Sequence, residues 1–131
     1  MSPMNEPRNS SQNQDLTSIL EKIPTQWGRS IDCGPGWYQL VIDLDRSLAA
    51  TLPPFQVLQV KEKFGTLRFY WSCEQASDEQ RVAANSLVAA AELRSASTCE
   101  NCAAPGQLCA KDGWLKTLCT SCAAEFGYTS E

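Results

Sequence analysis

The chain has 131 residues, 43% of them apolar, with 15 acidic against 11 basic side chains and a formal net charge of −4. That length suits one domain with a modest core. The acidic balance disfavours a phosphate backbone as partner, and a chain with no histidine lacks the commonest general base.

Residues 1–14 are polar, contain Pro3 and Pro7, and read as a disordered tail without the apolar core of a signal peptide. The seven cysteines are therefore expected in a reducing cytoplasm, bound to metal or buried. No stretch approaches membrane-spanning length. Order is expected from Asp15, an N-cap for a short helix that sets Leu16, Ile19, Leu20 and Ile23 on one face. Pro24 ends it, and Thr25 to Pro35 reads as loop.

Trp37, Leu40, Val41, Leu44 and Leu48 recur with helical period, which predicts an amphipathic helix over 37–51 that Pro53-Pro54 stops. The next stretch, FQVLQVKEKFGTLRFYW, has β-branched and aromatic residues on both sides of Lys61 to Gly65. It predicts a β-hairpin with Gly65 at a left-handed position in a longer turn. Leu67, Phe69 and Trp71 share the face under the Trp37 helix, and Arg68 and Tyr70 point the other way.

Ser77-Asp78-Glu79-Gln80 is a capping-box signature for a long, alanine-rich helix over 78–95, with small residues for close packing. That helix runs almost directly into Cys99, which predicts a C-terminal unit fixed to it and not flexibly tethered. Gln107 to Ala110 and Trp114 to Leu118 flank Lys111-Asp112-Gly113, a second hairpin. A short helix or coil, Ala123 to Tyr128, closes the chain.

The chemistry lies in Cys99-Glu100-Asn101-Cys102 and, sixteen residues later, Cys119-Thr120-Ser121-Cys122. Four thiolates in two such knuckles form the closed tetrahedron of a structural zinc site, whose pairs stand about fifteen to twenty residues apart. A redox CxxC belongs to a βαβ context, and here the first pair follows a helix. A catalytic zinc keeps an open position, and the deaminase pattern needs proline where this chain has Leu118. Cys33, Cys73 and Cys109 receive no chemistry, although Cys109 could substitute for a ligand on its hairpin; a small buried hydrophobe is the simpler reading.

Residues 99–131 hold Glu100, Asp112, Glu125 and Glu131 against only Lys111 and Lys116, so a zinc unit there does not imply DNA. No nucleophile–base constellation or phosphate-cradling loop occurs, and Asp43 and Asp45 point to different helix faces. A non-enzyme is expected, with thiol redox the residual catalytic alternative. The best candidate contact residues are Lys61, Lys63 and Arg68 with Phe64 and Tyr70, a basic aromatic hairpin.

The phrases CGPGWYQLV (33–41), QVKEKFGTLRFYW (59–71), TCENCAAPG (98–106) and GWLKTLCTSC (113–122) resemble, in order, small uncharacterised proteins encoded by tailed phages and prophages. Those relatives often close the second pair with Cys-x-x-His; here both positions are cysteine, so the ligand set is complete without histidine. The resemblance implies a phage origin and a bacterial host cytoplasm, and carries no established activity.

The expected fold is α+β, with a helix–hairpin–helix core over 15–97 and an integral zinc-ribbon-like unit over 98–128. One structural zinc is expected on Cys99, Cys102, Cys119 and Cys122. The expected function is that of an accessory protein binding a host or phage protein, as in host takeover or defence suppression. Nucleic-acid binding by the hairpin 61–70 is the alternative, and no membrane partner is expected.

Overall fold

The computed structural model describes residues 10–131. They form a mixed α/β fold. Helix α1 spans Ser10–Glu21, so residues 10–14 are helical and not tail; the rest of the expected tail, 1–9, lies outside the described residues. Burial of Leu16 and Ile19 fixes this helix on the core. Once a turn is nucleated, extension through polar residues gains a backbone hydrogen bond per residue. Asp15 therefore sits within α1 and caps nothing; it pairs with Arg46 at 2.6 Å.

Helix α2, Tyr38–Thr51, buries Leu40, Val41, Leu44 and Leu48 as its period requires. Trp37 stands at the N-cap, at the end of a 3-10 turn over Pro35–Trp37. The helix also buries Asp45, whose two carboxylate oxygens each accept a 2.9 Å hydrogen bond from Lys22 Nζ. Leu44 is only 4% exposed. Leu44→Ala is expected to cost about 2–4 kcal/mol in a urea titration. A loss under about 0.5 kcal/mol, the scale of surface substitutions, would mark this face as exposed.

Strands β1 (Ile31–Asp32), β2 (Gln56–Lys63) and β3 (Thr66–Ser72) make one sheet in that order. Between the paired Lys63 and Thr66 only Phe64 and Gly65 form the turn, both left-handed at φ 55° and 83°, and the ladder is otherwise interrupted where Leu58 bulges between Val57 and Gln59. The turn is thus the tight two-residue kind that matches strand twist, shorter than expected, and Lys61 to Lys63 belong to the strand. β1 lies inside the expected loop and pairs parallel with β2, Ile31 against Val60. A two-residue strand has no period to read, so the sequence reading missed it.

Helix α3, Asp78–Ser95, starts in the expected capping box, with Ser77 and Gln80 bonded reciprocally at 2.8 and 3.1 Å. It buries a narrow stripe of Ala84, Val88, Ala91 and Ser95 and packs on α2 and β3. Its larger residues Val82 and Leu93 face solvent. Two of its side chains also close the free edge of the sheet. The Leu67 N–H donates to Ser95 Oγ at 2.9 Å, and the Phe69 N–H to Glu92 Oε2 at 3.3 Å. An unpaired strand edge is thereby blunted.

The C-terminal unit has β4 (Gln107–Lys111), β5 (Trp114–Leu118), α4 (Thr120–Phe126) and β6 (Thr129–Ser130), with sheet order β5-β4-β6. The expected closing segment from Ala123 is thus a helix that starts at the second knuckle, followed by a strand on β4. Several hydrogen bonds fix this unit to the first, the Gly34 N–H to Glu100 Oε2 at 2.9 Å among them. The Gly36 N–H donates to Glu100 O at 2.7 Å, Trp37 Nε1 to Thr98 O at 2.8 Å, and Thr117 Oγ1 to Gly65 O at 2.6 Å. A side chain at Gly36 would strike the backbone of Cys99 and Glu100, so glycine is required where loop meets knuckle. Among the described residues, no helix is long and apolar enough to cross a membrane.

Candidate functional site

Cys99 and Cys102 stand on the turn after α3, where the Ala103 N–H returns to Cys99 O at 2.9 Å and the Cys99 N–H to Ala104 O at 2.7 Å. Ala103 takes φ 73° to close that turn. Cys119 and Cys122 bracket the start of α4, with Cys119 as N-cap: its Sγ accepts from the Cys122 N–H at 3.4 Å. The two turns face each other, and all four Sγ atoms lie within 4.8 Å of one another.

The donor set fits a metal ion. Four sulfurs at about 2.3 Å from one zinc stand about 3.8 Å apart. Cys102 and Cys119 are 3.6 Å apart, near that edge length and far beyond a disulfide bond of about 2.05 Å. All seven cysteines are free thiols. Cys99 and Cys122 are buried, whereas Cys102 and Cys119 are half-exposed, so an ion would be shielded on one side.

The thiols differ in acidity. Cys119 is lowered to about 7, first by the Cys122 N–H and then by the Cys122 thiol. Cys122 is raised to about 12, mainly by burial, against the pull of Asn101 Nδ2 at 3.3 Å. For Cys102 the Ala104 N–H lowers the value, but burial with the Cys119 and Cys99 thiols leaves it raised. Four thiolates cannot coexist at this range without a cation between them. A divalent ion supplies that charge and takes all four deprotonated.

The remaining cysteines lie elsewhere. Cys109 Sγ points at the Gln107 carbonyl at 3.3 Å, and Cys73 Sγ at the Pro54 carbonyl at 3.5 Å; both are buried and neither belongs to the four-cysteine cluster. Burial, then the Glu100 and Asp32 carboxylates, push the Cys33 thiol up to about 12.

The hairpin residues come together on the outer face of the first sheet. Lys61 stands opposite Arg68, Lys63 opposite Thr66 and Tyr70 opposite Gln59, so their side chains share the face turned from the core. Phe64 caps the turn, 67% exposed, with Lys63 Nζ 5.5 Å from its ring centre. Arg68 Nε is buried without a hydrogen-bond partner. The structure adds a residue that the sequence reading passed over, Trp27, which is 56% exposed. Trp27 and Tyr70 flank a groove of about 440 Å³ with Ile23 and Leu58 in its lining. The available signal was a tryptophan in a polar, glycine-flanked loop, where no core period could claim it.

The site thus defines a small α/β protein with a four-cysteine cluster that can hold a metal ion. No protein-family model matches the chain, and no curated protein or solved structure is significantly similar to it.

Proposed function

We propose that the four cysteines hold one structural zinc ion and that the chain is a phage-encoded accessory protein that binds a host or phage protein without catalysis. An all-thiolate tetrahedral set with no open position favours zinc as a structural ion. The support for the origin and for a bacterial cytoplasm is the resemblance of the ordered phrases to tailed-phage proteins, and a small phage binder fits host takeover or defence suppression.

The observation that carries the binding role is the outer sheet face. Trp27 and Tyr70 stand exposed around a groove, with Lys61, Lys63 and Arg68 beside them on rigid strands. Tryptophan, tyrosine and arginine are the residue types that dominate protein interfaces. The same cations favour nucleic acid as the second reading, and the net charge of −4 counts against it.

Fluorescence anisotropy across a salt series separates the two. Generic single- or double-stranded DNA or RNA is expected to bind no tighter than micromolar at physiological salt. A protein captured from infected cells is expected to be lost with Trp27→Ala or Tyr70→Ala, with little salt dependence. Nanomolar nucleic-acid binding that a Lys61→Glu/Lys63→Glu pair abolishes would promote the second reading.

A further inference from the structure

The unspent cations of this chain gather in one place. Among the described residues, Lys22, Arg46 and Lys116 pair with carboxylates, and Arg29, Arg81 and Lys111 donate to backbone carbonyls. Lys61, Lys63 and Arg68 have no oxygen acceptor, and all three stand on the outer face of the first sheet. Arg94, in the last turn of α3, is the other cation without one.

Lys61 lies directly opposite Arg68 across the β2–β3 ladder. Like charges so placed destabilise a strand pair. The Arg68 Nε–H is also shut off from water without an acceptor, a condition that buried donors seldom keep. One acceptor placed between the two side chains relieves both features. Asp32 neighbours Lys61 in the sheet but forms no ion pair with it. Two residues along β3 from Arg68, on the same face, Tyr70 joins Trp27 in flanking the groove over Ile23 and Leu58. Alternate side chains on a strand stand about 6.5–7 Å apart, and an extended peptide has the same spacing. Asp32 lines the groove too, so an acid is repelled there and an apolar side chain is not.

We infer that this face binds an extended acidic segment of a partner protein, with a carboxylate between Lys61 and Arg68 and an apolar side chain, two residues away, between Trp27 and Tyr70. This partner class rests on the protein-binding reading above and adds the sequence that the face selects. A guanidinium takes a carboxylate through two parallel N–H bonds, and Nε with one Nη makes such an edge. A polyanion fits less well. The cluster allows only about three phosphate contacts. Past the hairpin tip, Gly65 O is bonded to Thr117 of the C-terminal unit, which has Glu100, Asp112, Glu125 and Glu131 against Lys111 and Lys116. A short acidic segment ends before that field, whereas a nucleic-acid strand runs into it.

The test is a chemical-shift titration of the full, zinc-loaded chain with acetyl-Gly-Glu-Ser-Leu-Gly-amide, its Gln-Ser-Leu and Glu-Ser-Ser counterparts, and oligothymidylate. Saturable shifts at Gln59, Arg68 and Tyr70 are expected with the first peptide. Each counterpart is expected to bind about tenfold more weakly, the scale of one charge-assisted hydrogen bond or one buried aliphatic side chain. Arg68→Gln weakens the first peptide to the same degree, and Lys61→Gln repeats the measurement should Arg68→Gln disturb the ladder. Arg94→Gln removes the same charge away from this face and leaves the affinity unchanged. Equal affinity for the Gln-Ser-Leu peptide, unchanged affinity in both Arg68→Gln and Lys61→Gln, an equal loss in Arg94→Gln, or no saturable shift on this face would overturn the inference. The protein-binding reading fails separately, if Trp27→Ala and Tyr70→Ala leave capture from infected cells intact. Oligothymidylate binding tighter than the peptide at physiological salt overturns both.

Discussion

Cys119→Ser is expected to lose stoichiometric metal and to melt the C-terminal unit while the first unit keeps its fold. The buried cluster of that unit is Cys99, Cys109, Leu118, Cys122 and Ala123, so two of its five members belong to the four-cysteine set that can hold the ion. A core that small cannot hold two hairpin strands and a short helix by apolar burial alone. Structural zinc in peptides of this kind contributes about 10–16 kcal/mol near neutral pH, far more than five side chains can. A serine hydroxyl stays protonated and does not replace the thiolate. Elemental analysis should find one equivalent of zinc in the parent protein and a small fraction of that in Cys119→Ser, with a lower melting temperature. Cys33→Ser should leave metal content alone, because Cys33 is not one of the four clustered cysteines. A Cys119→Ser protein with full zinc and full thermal stability would end the assignment of these ligands.

The helices were legible because their signals are local and repeated. The 3.6-residue period fixed the buried face of α2, and the reciprocal Ser77–Gln80 cap fixed the start of α3. The four cysteines were legible because ligand chemistry constrains spacing as well as residue type. What stayed hidden depends on partners distant in sequence. β1 exists only because Ile31 and Asp32 find β2, and β6 only because Thr129 and Ser130 find β4. The stripe on α3 was hidden for another reason: its face is set by small residues while Val82 and Leu93, which dominate any hydropathy reading, point outward. The outer groove joins segments far apart in the chain, and no spacing in the sequence announces it.

Trp37→Ala is expected to be the most damaging substitution outside the metal ligands, because this side chain serves both units at once. The indole is fully buried in the first core at 0% exposure, and its Nε1–H donates to Thr98 O at 2.8 Å, directly before the first knuckle. Truncating a buried tryptophan leaves a cavity and costs about 3–5 kcal/mol. Loss of the hydrogen bond adds an unpaired carbonyl at the junction, about 1–3 kcal/mol if no water replaces the donor. Trp37→Phe narrows the comparison, since it keeps an aromatic ring in the core and removes the donor with only part of the volume. Denaturant titrations should place Trp37→Phe between the parent and Trp37→Ala. Zinc content should persist in both variants, because no ligand is touched. If Trp37→Phe matches the parent, the Thr98 hydrogen bond does not couple the units, and the Gly34 and Gly36 bonds to Glu100 with the Thr117 bond to Gly65 O are left to hold them together.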